Sequence, residues 1–224
     1  MILAKDKRFI FIHVPKAAGT SINSALSLHD VFFLVRHENI AARRAFAEKN
    51  GLPAAAAVLG EHANVKLFIK TLGREEYARY CAFAFVRNPW DVAVSWFHYR
   101  LINPTVAGHA EAEAAGDFRK YVKRVLTGPD GPRLVGLQYP LVTDDSGAVS
   151  VSFLGRYESL AVDFATVKQH LGIDTLELDH FNQSYHAAWP QLYNPTTFAI
   201  VAKLVERDAA LFGYPSDPSA YGIA

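Results

Sequence analysis

The sequence predicts an α/β fold, and three observations predict it. Two short apolar runs rich in β-formers, Phe9-Ile10-Phe11-Ile12 and Cys81-Ala82-Phe83-Ala84-Phe85-Val86, read as strands buried on both faces. Each run leads directly into a turn and then a segment whose apolar residues recur at helical spacing. Further segments of helical period fill much of the remaining chain. With 224 residues, half of them hydrophobic and 15 of them Phe, the chain can bury a sizeable core in a single domain over 1–224.

The first strand ends in a turn through Pro15, Lys16 and Gly19. Thr20-Ser21 then open a helix marked by Ile22, Ala25 and Leu26. Val31–Val35 reads as a further strand, and residues 38–50 read as a helix ended by Gly51-Leu52-Pro53. The small apolar run Ala54–Val58 has no assigned role. Val65, Phe68, Ile69 and Leu72 mark a helix ending at Gly73, which puts His62 at or just before its start. Arg74–Tyr80 is a short helix leading into the strand Cys81–Val86, whose Cys81 reads as a core residue. Pro89 and Asp91 suit the first turn of the next helix, with Asn88 as its cap.

Periodicity is lost from Asn103 to Gly116, so 97–116 is expected to be a loop or lid on the substrate side. Phe118–Leu126 reads as a short amphipathic helix and Gly128–Pro132 as a loop. Residues 137–154 suggest a hairpin turning at Asp144-Asp145-Ser146-Gly147. Leu160–Leu171 is a helix ended by Gly172, and the polar, aromatic stretch 179–195 is a second candidate lid. The last helix, Thr196–Phe212, is expected to turn Phe198, Val201, Leu204, Val205 and Leu211 to the core.

Bulk properties exclude several classes. A net charge of +1 argues against general nucleic-acid binding. The single cysteine excludes an internal disulfide and a cysteine zinc site. His180 and His186 lack a ligand pattern, so no metal is expected. No run approaches the roughly 20 apolar residues that span a bilayer. The charged start MILAKDKRF does not suit a signal peptide. The expectation is a protein of a reducing compartment, most simply the cytoplasm.

The chemistry concentrates at the two strand-to-helix turns. A helix's first N–H groups have no partner within the helix, and the macrodipole adds positive charge there. Lys16 contributes a full charge, and Gly19 lets backbone and ligand approach closely. The competing reading is an ordinary loop with Thr20 or Ser21 as N-cap. The loop is not a Walker A motif, because Lys16 precedes Gly19 by three residues. At the second turn, Arg87 stands at a strand's carboxyl end, where open α/β sheets bind ligands, and Ser95 lies about two helical turns further on. Their alternatives are a structural salt bridge and a packing serine. A ligand with two separated phosphate groups would use both turns.

On these residues the chain resembles a known family. FIHVPKAAGTSI and FAFVRNPWDVAVSWF are similar to the two cofactor signatures of sulfotransferases that use 3′-phosphoadenosine 5′-phosphosulfate (PAPS), among them many carbohydrate sulfotransferases. EHANVKLFIKTLG, VSFLGRYESL, DHFNQS and the terminal LFGY also fit, so the resemblance covers nearly the whole chain in order. It implies a P-loop-NTPase-like, three-layer α/β/α fold around a mainly parallel sheet, releasing PAP as product. Lys16, Ala18, Gly19, Thr20 and Ser21 would hold the 5′-phosphosulfate, with Lys16 stabilising charge on the leaving oxygen. Arg87 and Ser95 would hold the 3′-phosphate, a task suited to arginine's planar fork.

The resemblance points to His62 as the base for the acceptor hydroxyl, with His37 and His13 as runners-up, since histidine titrates near neutrality. Arg156-Tyr157-Glu158 match a third recurrent patch, which either contacts adenosine or is structural. Asn182 and Ser184 are further nucleotide candidates. Tyr99, Trp96 and Trp189 are candidates for stacking or for core. Ala17 departs from the pattern, since relatives more often carry threonine there. The implied activity is sulfuryl transfer to a hydroxyl of a carbohydrate or other small molecule, with no nucleic-acid or integral-membrane partner. The alternatives are a non-catalytic PAP- or PAPS-binding protein and a kinase-like P-loop transferase. Neither the acceptor nor the oligomeric state is encoded in a recognisable motif.

Overall fold

The computed structural model describes residues 1–5, 7–26, 39–173, 178 and 187–223. The strand expected over Val31–Val35 lies outside them. In chain order the strands are β1 (Ile2–Ala4), β2 (Phe9–Ile12), β3 (Cys81–Val86) and β4 (Phe153–Arg156). The helices are α1 (Gly19–Leu26), α2 (Ile40–Lys49), α3 (Val65–Leu72), α4 (Arg74–Tyr77), α5 (Pro89–Ile102), α6 (His109–Ala115) and α7 (Phe118–Tyr121). They continue with α8 (Gly131–Leu134), α9 (Tyr139–Val142), α10 (Leu160–Leu171) and α11 (Pro195–Phe212). The chain is therefore mixed α/β, and among the described residues its sheet has four strands and is mostly parallel. It divides into two compact units, Met1–Val86 with Pro140–Phe181, and Arg87–Tyr139 with Asn182–Ala224.

The first unit holds the sheet, ordered β1-β2-β3-β4. β1 runs antiparallel to β2, whereas β2, β3 and β4 are parallel. The register aligns Phe11 with Phe83 and Phe83 with Phe153. Because side chains alternate across a strand, Phe9, Phe11, Phe83, Phe85 and Phe153 share one face. Their rings form a continuous ladder, with centroids 5.2 Å apart for Phe11 and Phe83 and 6.5 Å apart for Phe83 and Phe85. Phe164 of α10 extends it, 6.5 Å from Phe85. Each buried Phe contributes about 2–3 kcal/mol of transfer free energy. Gly155, paired with Phe85, leaves room for that ring, since a Cβ there would lie 2.5 Å from it. Cys81, expected in the core, is only half-buried because it is the first residue of β3.

The expected 137–154 hairpin is reduced to its turn. Asp144 N donates to Ala148 O at 2.9 Å, and Thr143 and Val149 form one antiparallel bridge. The chain before that turn is helical in α9, and β4 after it pairs parallel with β3 instead.

The second unit is helical and built on α5 and α11. Trp90 stacks on Phe198 with centroids 4.5 Å apart, and Tyr193 Oη donates to Trp90 O at 2.9 Å. Asn88 caps α5 as expected, its side chain accepting from Trp90 N and Asp91 N. The expected loop 97–116 is instead mostly helix, with α5 running to Ile102 and α6 starting at His109. The helix α8 likewise begins inside the expected loop 128–132, at Gly131. Leu211, expected in the core, is 36% exposed. The buried face of α11 is made instead by Phe198, Val201, Val205, Asp208, Ala209 and Phe212.

Candidate active site

In the first unit, the loop after β2 leaves the carboxyl end of that strand and enters α1. Lys16 and Ala18 both adopt left-handed backbone, with φ of 66° and 61°, while Ala17 and Gly19 do not. Such alternation folds successive N–H groups into a concave, anion-binding nest. For non-glycine residues it costs on the order of 1–3 kcal/mol each, and strain of this kind gathers at ligand clamps. The helical ladder begins where Ile22 N donates to Ala18 O at 3.1 Å, so the N–H groups of Gly19, Thr20 and Ser21 precede its first rung. Lys16 is half-buried, Thr20 exposed and Ser21 buried. Arg156 stands at the matching end of β4, two strands away, with its backbone N donating to Asp163 at 2.7 Å.

Gly19 has a reason the sequence did not show. A Cβ there would lie about 2 Å from the His13 ring, so the glycine makes room for that imidazole. His13 is 6% exposed, and burial pulls its pKa below the usual value against the opposing pull of Glu61. Its Nδ1 lies 3.3 Å from the Asn23 amide and 3.4 Å from Glu61 Oε1.

His62 packs edge-on against His13, with ring centroids 4.9 Å apart. Its Nδ1 is 3.2 Å from the His13 carbonyl oxygen. A carbonyl only accepts, so Nδ1 is the donor in this contact, and in the neutral ring that selects the tautomer with its lone pair on Nε2. That tautomer can take a proton. The ring also lines an open cavity of about 470 Å³ with Lys66, Leu67 and Lys70 of α3. His62 and the Lys16 loop are thus brought together through His13. His37, Asn182, Ser184, His180 and His186 lie outside the described residues.

The second unit carries Arg87 and Ser95. Asp91 and Ser95, four apart, lie on one face of α5, and Arg87, two residues before the helix, reaches Asp91 with its side chain. Arg87 is 8% exposed, and its Nε donates to Asp91 Oδ2 at 2.7 Å. The salt bridge weighed as an alternative for Arg87 is therefore present. Ser95 is 1% exposed.

Two further residues, invisible to motif reading, fix this turn. Gln138 bridges the Arg87 backbone, accepting from its N–H at 2.9 Å and donating to its carbonyl at 2.7 Å. Asp208, fully buried, accepts from Gln138 N at 2.8 Å and Tyr139 N at 2.7 Å.

Across residues 1–215 the chain matches the sulfotransferase family. The chain belongs to that family. No curated protein and no solved structure gives a significant match. Membership makes sulfuryl transfer the general activity and a transferase the class of enzyme. The match runs through both units of the sulfotransferase chain and includes both turns. Among the described residues, no helix is long and apolar enough to cross a membrane. The aromatic candidates have neighbours within the second unit. Trp96 lies against Gly136 and under Arg100, 4.9 Å away, while Trp189 sits 4.9 Å from Tyr221. Tyr99 lies 5.7 Å from Trp96.

Asp208 makes stability pH-dependent. Burial raises its pKa from 3.8 to about 6, against the backbone hydrogen bonds that favour the carboxylate. A raised acid pKa means the folded state binds the proton more tightly. This group's contribution to stability therefore increases as pH falls from about 6 toward 4, by about 3 kcal/mol at most. Urea unfolding of the wild type and Asp208→Asn at pH 7 and pH 4.5 should show the wild type gaining on the variant at the lower pH. A constant difference would remove Asp208 as the cause.

Proposed function

We propose that this sulfotransferase uses PAPS as donor and transfers to a hydroxyl of a carbohydrate or other small molecule. The observation that carries the proposal is the strained, lysine-bearing nest at the start of α1, whose form suits a phosphosulfate. Lys16, Ala18, Gly19, Thr20 and Ser21 would hold the 5′ end, with Lys16 countering charge on the departing oxygen. Arg87 and Ser95 would hold the 3′-phosphate, a role taken from the family resemblance, and Arg156 would contact the nucleotide. Bound PAPS supplies an activated sulfuryl group. His62 Nε2 takes the acceptor's proton as its oxygen attacks, which is the positioning and charge work that in-line transfer demands. Residues 97–116 and 179–195 would select the acceptor, and the single cysteine suits a reducing compartment such as the cytoplasm.

The direct test is incubation with ³⁵S-labelled PAPS and pools of neutral and acidic sugars and phenols. Transfer of label to any pool supports the reading. PAP affinity without transfer to any pool would favour a non-catalytic PAP- or PAPS-binding protein.

A further inference from the structure

A second polar recess lies in the first unit, at the end of the sheet opposite the Lys16 loop. Its volume is about 380 Å³. It sits at the amino ends of β2, β3 and β4, whereas the loop leaves the carboxyl end of β2. Basic groups converge on it from three segments. Lys7 and Arg8 come from the β1–β2 turn, Arg79 from the residues before β3, and His170 from the last turn of α10. Among its described lining residues none is a carboxylate. Among the described residues, Glu76 pairs with a lining cation, meeting Arg79 at 3.2 Å where both side chains are exposed. A surface pair of that kind contributes little and yields readily to a multivalent anion.

The framework of the recess is held by backbone hydrogen bonds. Arg8 has left-handed backbone at φ 49° and is fixed on both sides, its N donating to Lys5 O at 3.2 Å and its O accepting from Cys81 N at 2.7 Å. Ser152 N donates to Ala82 O at 2.7 Å. The carbonyls ending α10 would repel an anion, but those of Lys168 and Gln169 are taken by Ile173 N and Gly172 N. Water occupies about 30 Å³ per molecule in the liquid, so the recess has room for a phosphate and a small organic group together.

We propose that this recess binds a compact, soluble phosphate-bearing anion, separately from the sulfotransfer site. Lys7, Arg8 and Arg79 supply the charge, and the fork of an arginine pairs with two phosphate oxygens at once. Neither the donor nor the acceptor of the transfer reaction is needed for this binding.

Cys81 lines the recess and is the chain's single cysteine, which makes it a site-specific reporter. The experiment measures alkylation of Cys81 by neutral iodoacetamide in pyrophosphate, in glucose 6-phosphate, and in sodium chloride of equal ionic strength. At a ligand concentration ten times the dissociation constant, alkylation slows about tenfold with either phosphate compound and not with chloride. Lys16→Ala leaves that protection intact, which separates it from the nucleotide loop. The Arg8→Gln/Arg79→Gln double variant, folded by circular dichroism, loses it. Should the double variant unfold, Arg79→Gln alone decides, by raising several-fold the pyrophosphate needed for half protection. Equal rates in phosphate and chloride, or protection that survives loss of the arginines, overturn the proposal.

Discussion

Lys16→Ala is expected to lower sulfuryl transfer by at least about 10²–10³-fold, the loss typical when one group facing developing charge is removed. The backbone should survive the change. Lys16 already sits at φ 66°, and the neighbouring Ala18 shows that an alanine is held at φ 61° in the same loop. The nest of N–H groups therefore persists while the charge disappears. That separates two proposed contributions, in which the nest would bind the anion and the ammonium would answer the charge that builds as the bond to sulfur breaks. Single-turnover rates with labelled PAPS distinguish them. The expected result is a collapse in rate with PAP affinity reduced far less. Normal turnover in Lys16→Ala would take the lysine out of the mechanism.

His62→Ala should cost about 10²–10⁴-fold in turnover, the range for a positioned base. His62 is exposed, so the variant should fold. Its ring is oriented through Nδ1 by the His13 carbonyl, and that contact involves no nucleotide-binding residue. PAP affinity should therefore stay at the wild-type value while turnover falls. Loss of both would mean that His62 holds the His13 ring, and with it the loop around Gly19. His13 is the weaker candidate for the base. It is buried against Gly19, and its Nδ1 is shared between Asn23 and Glu61.

Much of the fold was legible because local signals and burial agree. β2 and β3 are apolar runs, α10 ends at Gly172 as read, and Asn88-Pro89 start α5 where capping chemistry puts them. The misses have physical causes. β1 is three residues long, too short to show a period. In α6 the run HAEAEAA has strong helix formers but no apolar stripe. Its glycines at 108 and 116, both at positive φ, bracket a helix rather than a loop. On α11 a charged residue, Asp208, holds a buried position, so a reading by apolar period gave Leu211 a place it does not have.

The site divides in the same way. Lys16, Gly19 and Arg87 are visible as residue types at strand ends. The left-handed backbone at Lys16 and Ala18 is not, because turn chemistry leads one to expect glycine or asparagine there. Gly19 is expected from the sequence to admit a ligand close to the backbone, and the described neighbour for which it makes room is an imidazole. Gln138 and Asp208 carry no motif, and only the fold brings them to the backbone of Arg87 and to each other.

In the proposed function the two turns serve a nucleotide bearing a 3′-phosphate. Thermal unfolding with PAP and with ATP tests it most directly. ATP lacks the group assigned to Arg87 and Ser95. At one hundred times its dissociation constant, PAP should stabilise the protein by about 2.7 kcal/mol, or roughly 5–10 °C for a chain of this size. ATP at the same concentration should give a much smaller shift, and Arg87→Ala should bring the PAP shift down toward it. Equal shifts from PAP and ATP would contradict the account.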